Sequence, residues 1–590
     1  MANIDLIITA STVVLLLVAL LKDLARPHLL FIAALMVLLV TGVLEPGLAL
    51  SGFANEAVFT VAALFVVATG VQQTGALAFI DRVIFRQGDG VRKVAGKMMG
   101  ATMALSAFLN NTPIVAMLIP HVQAWADKKG VSASKLLMPL SYATIVGGMC
   151  TVIGTSTNII VSGMMVDAGM EPLGLFELSW IGIPAAILVF LWFMAFGLRL
   201  MPQRKVMVNN QLKAANSSET YQFDYKVPEN SSLHEKTIEE AGLRALESVF
   251  LIHVQRGKHI IAVGPGFIIQ SGDLLTFRGT HTEVHKVASS KGLTPAVPGG
   301  GKKAEPLPLY EAVVSDSSPL VGKTLKELEF RERFKGVVLA IQRKVEQING
   351  AVGKTPIKAG DLLLIEAKPG FDHIYGNNNQ YFYLVRRKGE GLHDYNGKSR
   401  IALAIIFCML LAVGIGWLPM VTASLLAAIA MLLVGCVHKE QLVHAIHLPI
   451  LVVIATAIGI GKAVETSGLA NGIANTLFGN IESIHPVVFV LLLYLMTNLF
   501  TEFITNNAAA VLMFPLAIAI AEQVGIPIRA AAVAIAIAAS ASFMTPIGYQ
   551  TNLMVMGAGG YKFSDYTRMG FPVTLIVMSV AVSVISWIYL

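Results

Sequence analysis

Asparagine, threonine and glycine gather at four breaks in otherwise apolar sequence. Two are Asn110-Asn111-Thr112-Pro113 and Thr505-Asn506-Asn507-Ala508. The other two are Gly154-Thr155-Ser156-Thr157-Asn158 and Gly548-Tyr549-Gln550-Thr551-Asn552. Where proline or glycine breaks a helix, freed carbonyls and neutral side-chain oxygens suit a small alkali cation, and freed N–H groups at helix N-termini suit an anion. Such groups are costly at membrane depth unless they line a cavity or bind something. Hydrogen-bonded packing between helices would account for one asparagine pair. Two matching pairs at breaks favour a site near the membrane midplane.

The elements around these breaks are membrane spans. The chain has 590 residues, 55% hydrophobic and 14% charged, with mean hydropathy +0.67. A soluble chain carries about 25% charged residues. The formal charge of +7 comes from Lys and Arg in loops that flank apolar segments, so it speaks for topology and against a nucleic-acid partner. Cys150, Cys408 and Cys436 fall in or beside apolar stretches and read as small buried hydrophobes. No cleavable signal is evident at the N-terminus. A span needs about 20 apolar residues. Candidates are 4–21, 28–44, 56–76, 136–166 and 178–198, then 401–417, 420–437, 448–467, 529–557 and 571–590.

Two further stretches, 94–126 and 484–521, carry the asparagine pairs at their centres. Arg82, Arg86, Arg92, Lys93 and Lys97 precede the first, and Lys128, Lys129 and Lys135 follow it. Both ends are basic, so both face the cytoplasm and the stretch is a re-entrant hairpin. Lys22, Arg26, Arg199, Arg204 and Lys205 then lie inside. Glu45, Glu56, Asp167, Glu171 and Glu177 lie outside. An odd number of crossings inverts the second half. Its hairpin enters from outside, in agreement with Glu465, Glu482 and Glu522 and with Arg529 as a mild exception. The expectation is a multi-pass inner (plasma) membrane protein with both termini outside and residues 201–398 cytoplasmic.

An internal repeat supports this. Residues 151–163, TVIGTSTNIIVSG, match 545–557, TPIGYQTNLMVMG, and Asn110-Asn111 matches Asn506-Asn507, each pair preceding an apolar run that ends in Pro120 or Pro515. The polar middle is also duplicated. Lys236-Thr237 with Ser271-Gly272-Asp273 recurs as Lys323-Thr324 with Ala359-Gly360-Asp361, around short strand-like runs, and 290–306 reads as a linker. The fold class is therefore a polytopic α-helical membrane protein. It is an inverted repeat of five spans plus one re-entrant hairpin each (1–200 and 399–590), with an α+β insert of two units (201–290 and 306–390).

These motifs resemble the divalent anion:sodium symporter family, which carries a Ser-Asn-Thr signature at each of two hairpin tips and a glycine-bearing, Asn-ending loop facing each tip. Asn110, Asn111 and Thr112 take the first signature. Asn506 and Asn507 take the serine and asparagine places of the second, and Ala508 replaces its threonine. The resemblance implies one sodium site from Ser106, Asn110, Asn111 and Gly154, and another from Thr501, Asn506, Asn507 and Gly548. It implies an anion between the tips, near Asn110, Asn111, Thr112, Thr157, Asn158, Asn506, Asn507, Thr551 and Asn552. It also implies a homodimer, with Na⁺ as coupling ion and no other cofactor. The insert is similar to two RCK-C (TrkA-C) modules, an arrangement like that of sulfate-type members, so sulfate is the favoured small divalent anion. A dicarboxylate or citrate carrier is the alternative. A ligand-regulated channel or membrane sensor is the rival of another class, although no Thr-Val-Gly-Tyr-Gly filter is present. No nucleophile–base pair or metal cluster speaks for an enzyme.

Four other features carry alternatives. Glu502, the acid deepest in the apolar halves, is either a proton or cation partner or a wetted residue at the hairpin rim, with Ser106 in its place in the first repeat. Lys462 either attracts anions, pairs with Glu465 or snorkels. His438, His444 and His447 read as interfacial. The insert is a spacer, a dimerisation module or a sensor of a small cytoplasmic ligand, and it lacks a dinucleotide fingerprint.

Overall fold

The computed structural model describes residues 2–75, 84–203, 221–243, 249–262, 267–296, 308–347, 353–375, 381–387, 398–437, 442–469 and 485–590, apart from a few positions within these ranges. Arg82, Arg86, Arg204, Lys205, His438, Glu482 and the linker positions 297–301 and 304–307 lie outside the described residues. The chain forms two compact units: Met1–Val206 together with Leu309–Leu590, and Met207–Pro308. The two insert units thus part company, and the second belongs with the apolar helices.

The first apolar half comprises α1 (Ala2–Leu21), α2 (Pro27–Val40), α3 (Glu56–Gln73), α4 (Val91–Ser106), α5 (Asn111–Lys129), α6 (Ser134–Gly148), α7 (Ser156–Asp167) and α8 (Ser179–Trp192). The second comprises α9 (Ser399–Gly414), α10 (Met420–Leu433), α11 (Leu448–Thr466), α12 (Pro486–Phe503), α13 (Asn506–Val524), α14 (Ile528–Ser540), α15 (Gln550–Gly559) and α16 (Phe563–Tyr589). Among the described residues, five helical stretches are long and apolar enough to cross a membrane: Pro46–Gln73, Ser179–Leu200, Leu448–Thr466, Pro486–Phe503 and Phe563–Tyr589. Six shorter apolar helices accompany them. Every span expected from hydropathy coincides with one or two of these helices.

Both sites of interest are built alike. A helix pair with a short turn (α4–α5 or α12–α13) packs on a broken helix (α6–α7 or α14–α15). Proline begins α12 at its first position, where its missing N–H costs nothing. In each broken helix the second segment is preceded by one extended residue, Thr155 (φ −143°, ψ 146°) or Tyr549 (φ −137°, ψ 134°). α14 is almost entirely small and β-branched residues, and all of 530–540 is buried, as expected where helices approach closely. The two broken helices bond to each other's surroundings. The Tyr142 hydroxyl donates to Phe543 O (2.7 Å), and the Ser141 hydroxyl contacts Thr551 Oγ1 (2.8 Å) and Asn552 Oδ1 (2.7 Å).

Two ion pairs join charges that flank the apolar helices. The Arg529 guanidinium grips the Glu177 carboxylate with two bonds of 2.7 Å. This accounts for the one basic residue among the acidic flanks. Lys462 pairs with Glu465 at 3.1 Å.

Each insert unit has a sheet of the same order. The first runs β3-β2-β4-β1-β5, from β1 (Tyr221–Lys226), β2 (Phe250–Arg256), β3 (His259–Ala262), β4 (Leu274–Gly279) and β5 (Thr294–Pro295), with β6 (Lys302–Lys303) also pairing β1. The second runs β9-β8-β10-β7-β11, from β7 (Leu309–Val314), β8 (Gly336–Arg343), β9 (Glu346–Gln347), β10 (Leu362–Ala367) and β11 (Phe382–Arg387). The aspartate of each Gly-Asp turn is buried and held bidentately by an arginine, Arg256 on Asp273 and Arg343 on Asp361. The second unit rests on α15: a Cβ placed on Gly557 would lie 2.5 Å from Gly360 O.

Candidate functional site

At the first tip, the Ser106 hydroxyl lies within hydrogen-bond distance of two acceptors, Asn111 Oδ1 and Thr144 O (2.8 Å). At the second, the Thr501 hydroxyl donates to Ala539 O (2.7 Å) and lies 3.4 Å from Asn506 Oδ1. Helix α5 starts on Asn111 and α13 on Asn506. The hydroxyl, the asparagine and the carbonyl recur at the same spacing in the two halves, which pairs Asn111 with Asn506. This corrects the sequence pairing by one residue. Thr505 stands opposite Asn110, Asn507 opposite Thr112, and Glu502 opposite Ala107 rather than Ser106. The cause is that the sequence pairing matched one Asn-Asn dipeptide to the other, and the two dipeptides stand one residue out of register in the two halves.

Each facing loop folds back onto its tip. The Thr151 hydroxyl donates to Ala107 O and accepts from Gly154 N; the Thr545 hydroxyl donates to Glu502 O (2.7 Å) and accepts from Gly548 N (3.1 Å). The glycines matter for closeness. A Cβ on Gly154 would lie 2.5 Å from Gly148 O and 2.8 Å from Ser106 O. One on Gly548 would lie 2.0 Å from Ser542 Oγ and 2.6 Å from Thr501 O. Each loop glycine thus opens a cradle of oxygens that any side chain would fill. Neutral oxygen donors of this kind suit a hard cation such as Na⁺.

The halves then meet. Asn507 Oδ1 accepts from the Ser156 and Thr157 hydroxyls (3.1 Å each). Asn111 Nδ2 donates to the Tyr549 hydroxyl (2.5 Å), and the Thr112 hydroxyl donates to Gln550 Oε1 (3.2 Å). The N-termini of α5, α7, α13 and α15 therefore converge. Among the residues that make these contacts there is no lysine or arginine.

The residues named from sequence divide in three. Ser106, Asn111, Gly154, Thr501, Asn506 and Gly548 surround the two cradles. Thr112, Thr157 and Asn507 lie between the tips, while Asn110 lines a small cavity of about 30 Å³ with Phe108, Leu109, Ile153 and Ser156. Asn158, Thr551 and Asn552 take other roles than the expected anion contact. Asn158 Nδ2 donates to Thr151 O (2.9 Å), and Asn552 Nδ2 to Ser542 O (3.1 Å) and Thr545 O (3.2 Å). Both are fully buried braces of their own loops. Thr551 is turned to Ser141.

Residues 13–538 and 503–590 match the family described as CitMHS, citrate transporter. The chain belongs to the CitMHS family. Among relatives of this CitMHS chain is the "Putative sulfur deprivation response regulator" of Chlamydomonas reinhardtii, 33% identical over 94% of this chain and 96% of that one. Another is an uncharacterized transporter of Synechocystis, 31% identical over 92% and 90%. Sodium/sulfate cotransporter 2 of Chlamydomonas reinhardtii is 23% identical over 90% and 84%. A solved YdaH transporter from Alcanivorax borkumensis aligns over 92% of this chain and 87% of that one, with 13% identity and a TM-score of 0.44. The family and these relatives make the protein a multi-pass membrane transporter.

Three residues of the candidate site were not among those expected from sequence: Ser156, Tyr549 and Gln550. Tyr549 and Gln550 stand where the first half has Thr155 and Ser156. The replacement of two small hydroxyl side chains by two long ones was the available signal.

Proposed function

We propose that the protein is a sodium-coupled carrier of a small divalent oxyanion, with sulfate the favoured substrate. The observation that carries this reading is the meeting of four helix N-termini and two oxygen cradles at Asn111, Asn507, Thr157 and Tyr549. One Na⁺ would sit at each cradle, held by the Asn111 or Asn506 side-chain oxygen and the carbonyls of Ser106 or Thr501. The anion would sit between the tips, on helix N-termini and the side chains of Thr112, Asn507 and Tyr549. With no cationic side chain among these groups, bound Na⁺ supplies the positive field, so Na⁺ binds before the anion. The two halves would be oppositely oriented copies, and their rocking against the outer helices would alternate access. The names of the sodium/sulfate cotransporters support the coupling ion and substrate.

A second reading, a citrate or dicarboxylate carrier, is favoured by the family description. The duplicated sheets of the insert are similar to RCK-C units. We assign them a cytoplasmic position and a small regulatory ligand, and we expect the carrier to be a homodimer. Uptake of labelled sulfate, thiosulfate, succinate and citrate into proteoliposomes under a Na⁺ gradient tests the reading. Sulfate uptake that disappears when choline replaces Na⁺ is expected. Sulfate uptake that is indifferent to Na⁺ removes the coupling, and uptake of succinate or citrate without sulfate moves the substrate to the second reading.

A further inference from the structure

Glu502 is 2% exposed and has no acidic counterpart in the first half, where Ala107 holds its place. Its Oε1 accepts the N–H groups of Phe543 (2.8 Å) and Met544 (2.9 Å), and its Oε2 accepts the Ser542 hydroxyl (3.2 Å). In the first half the corresponding loop needs no such acceptor. Helix α6 runs into its own closing turn there, and Met149 and Cys150 donate to the carbonyls of Val146 and Gly147. Helix α14 stops at Ser540, and Glu502 takes over the freed donors.

Capping alone would be met by a neutral oxygen. The position of Ser542 argues for more. Its hydroxyl gives its proton to Glu502, so its lone pairs are left for another partner. The same oxygen stands 2.0 Å from where a Gly548 Cβ would be, beside Thr501 O. The first cradle has Gly148 at this position and so lacks both the hydroxyl and the carboxylate behind it.

We propose that Ser542 is a direct oxygen ligand of the second cradle and that Glu502 is a positioning residue whose fixed charge acts through it. Together they make the second cation site tighter than the first, so that it fills first and without the anion. This rests on the reading of the cradles as Na⁺ sites. A unit charge one residue away from a cation, in surroundings of low polarity, strengthens binding on the order of ten- to a hundredfold.

The test is thermal unfolding of the purified full-length protein in detergent, titrated with NaCl at constant ionic strength against choline chloride, with no anion substrate. Wild type should be stabilised in two phases. Glu502→Gln keeps an acceptor for both backbone N–H groups and removes the charge. It should melt at or above wild type in choline, yet its high-affinity Na⁺ phase should move up at least about tenfold. Ser542→Ala, which keeps the carboxylate on its backbone donors, should move the same phase by a few fold. Ser106→Ala should move only the weaker phase. If Glu502→Gln leaves the Na⁺ midpoint within twofold of wild type while Asn506→Ala shifts it, Glu502 is a cap only and the inference is overturned. If Glu502→Gln cannot be purified folded, an unshifted midpoint in Ser542→Ala overturns it equally. Absence of any Na⁺ stabilisation in wild type would instead remove the sodium sites themselves, and this inference with them.

Discussion

The two tips share one scaffold and differ in what it carries. Ser106–Asn111 and Thr501–Asn506 make the same bonds, and Thr151 and Thr545 tie the same turns. Yet the first half presents Ala107, Gly148, Thr155 and Ser156, where the second presents Glu502, Ser542, Tyr549 and Gln550. The long side chains of the second loop reach across to the first tip, bonding Asn111 and Thr112. The short hydroxyls of the first loop meet Asn507. The two tips thus share a backbone arrangement and differ in these side chains.

The largest expected effect tests the shared scaffold. Gly154→Ala and Gly548→Ala each push a methyl group into carbonyl or hydroxyl oxygens, and each should cut uptake about a hundredfold, since displacement by an ångström at a binding centre costs that much. Near-normal uptake in either would break the cradle reading on that side.

Next is the register of the second tip. Asn111→Ala and Asn506→Ala should each lower uptake about tenfold or more and raise the Na⁺ concentration for half-maximal rate, whereas Asn507→Ala should act on the anion KM. A Na⁺ shift in Asn507→Ala without one in Asn506→Ala would restore the pairing drawn from sequence.

Smaller effects sharpen the asymmetry. Tyr549→Phe removes one bond to Asn111 and should reduce uptake about fivefold; Thr155→Val, its counterpart, should do less. Gly360→Ala and Gly272→Ala strain equivalent turns with positive φ (77° and 86°), but only Gly360 faces Leu553 of α15. Uptake should fall a few fold in the first and stay level in the second.

The weakest effect should be common to both insert units. Backbone N–H groups of Thr237 and Thr324, with their hydroxyls, hold the Glu240 and Glu327 carboxyls below their usual range. A lowered folded value means stability present above the unfolded value and lost as pH falls through the folded one. The two units should therefore loosen together on acidification below about pH 4.5, as read by far-UV circular dichroism.

Much of this was legible in the sequence. Spans, breaks and the duplicated Gly-x-x-Thr-Asn loops follow from hydropathy and helix-breaking residues, and the helices fall where these put them. The site residues were legible as a group but not in their division of labour. Asn158 and Asn552 have the composition of ligands and serve as braces. Glu502 could be read as a wetted rim residue, and burial decided otherwise.

By itself, then, the sequence determined two apolar halves with polar breaks and a twofold polar insert, because side-chain hydrophobicity and backbone propensity act over a few neighbouring residues. Only the tertiary structure decided that Asn111 answers to Asn506, that Tyr549 crosses to the first tip, that Glu502 is enclosed behind Ser542, and that the second insert unit stands on α15. Each of these depends on contacts between segments from about forty to more than four hundred residues apart, and no local pattern encodes the packing that brings such segments within a hydrogen bond of one another.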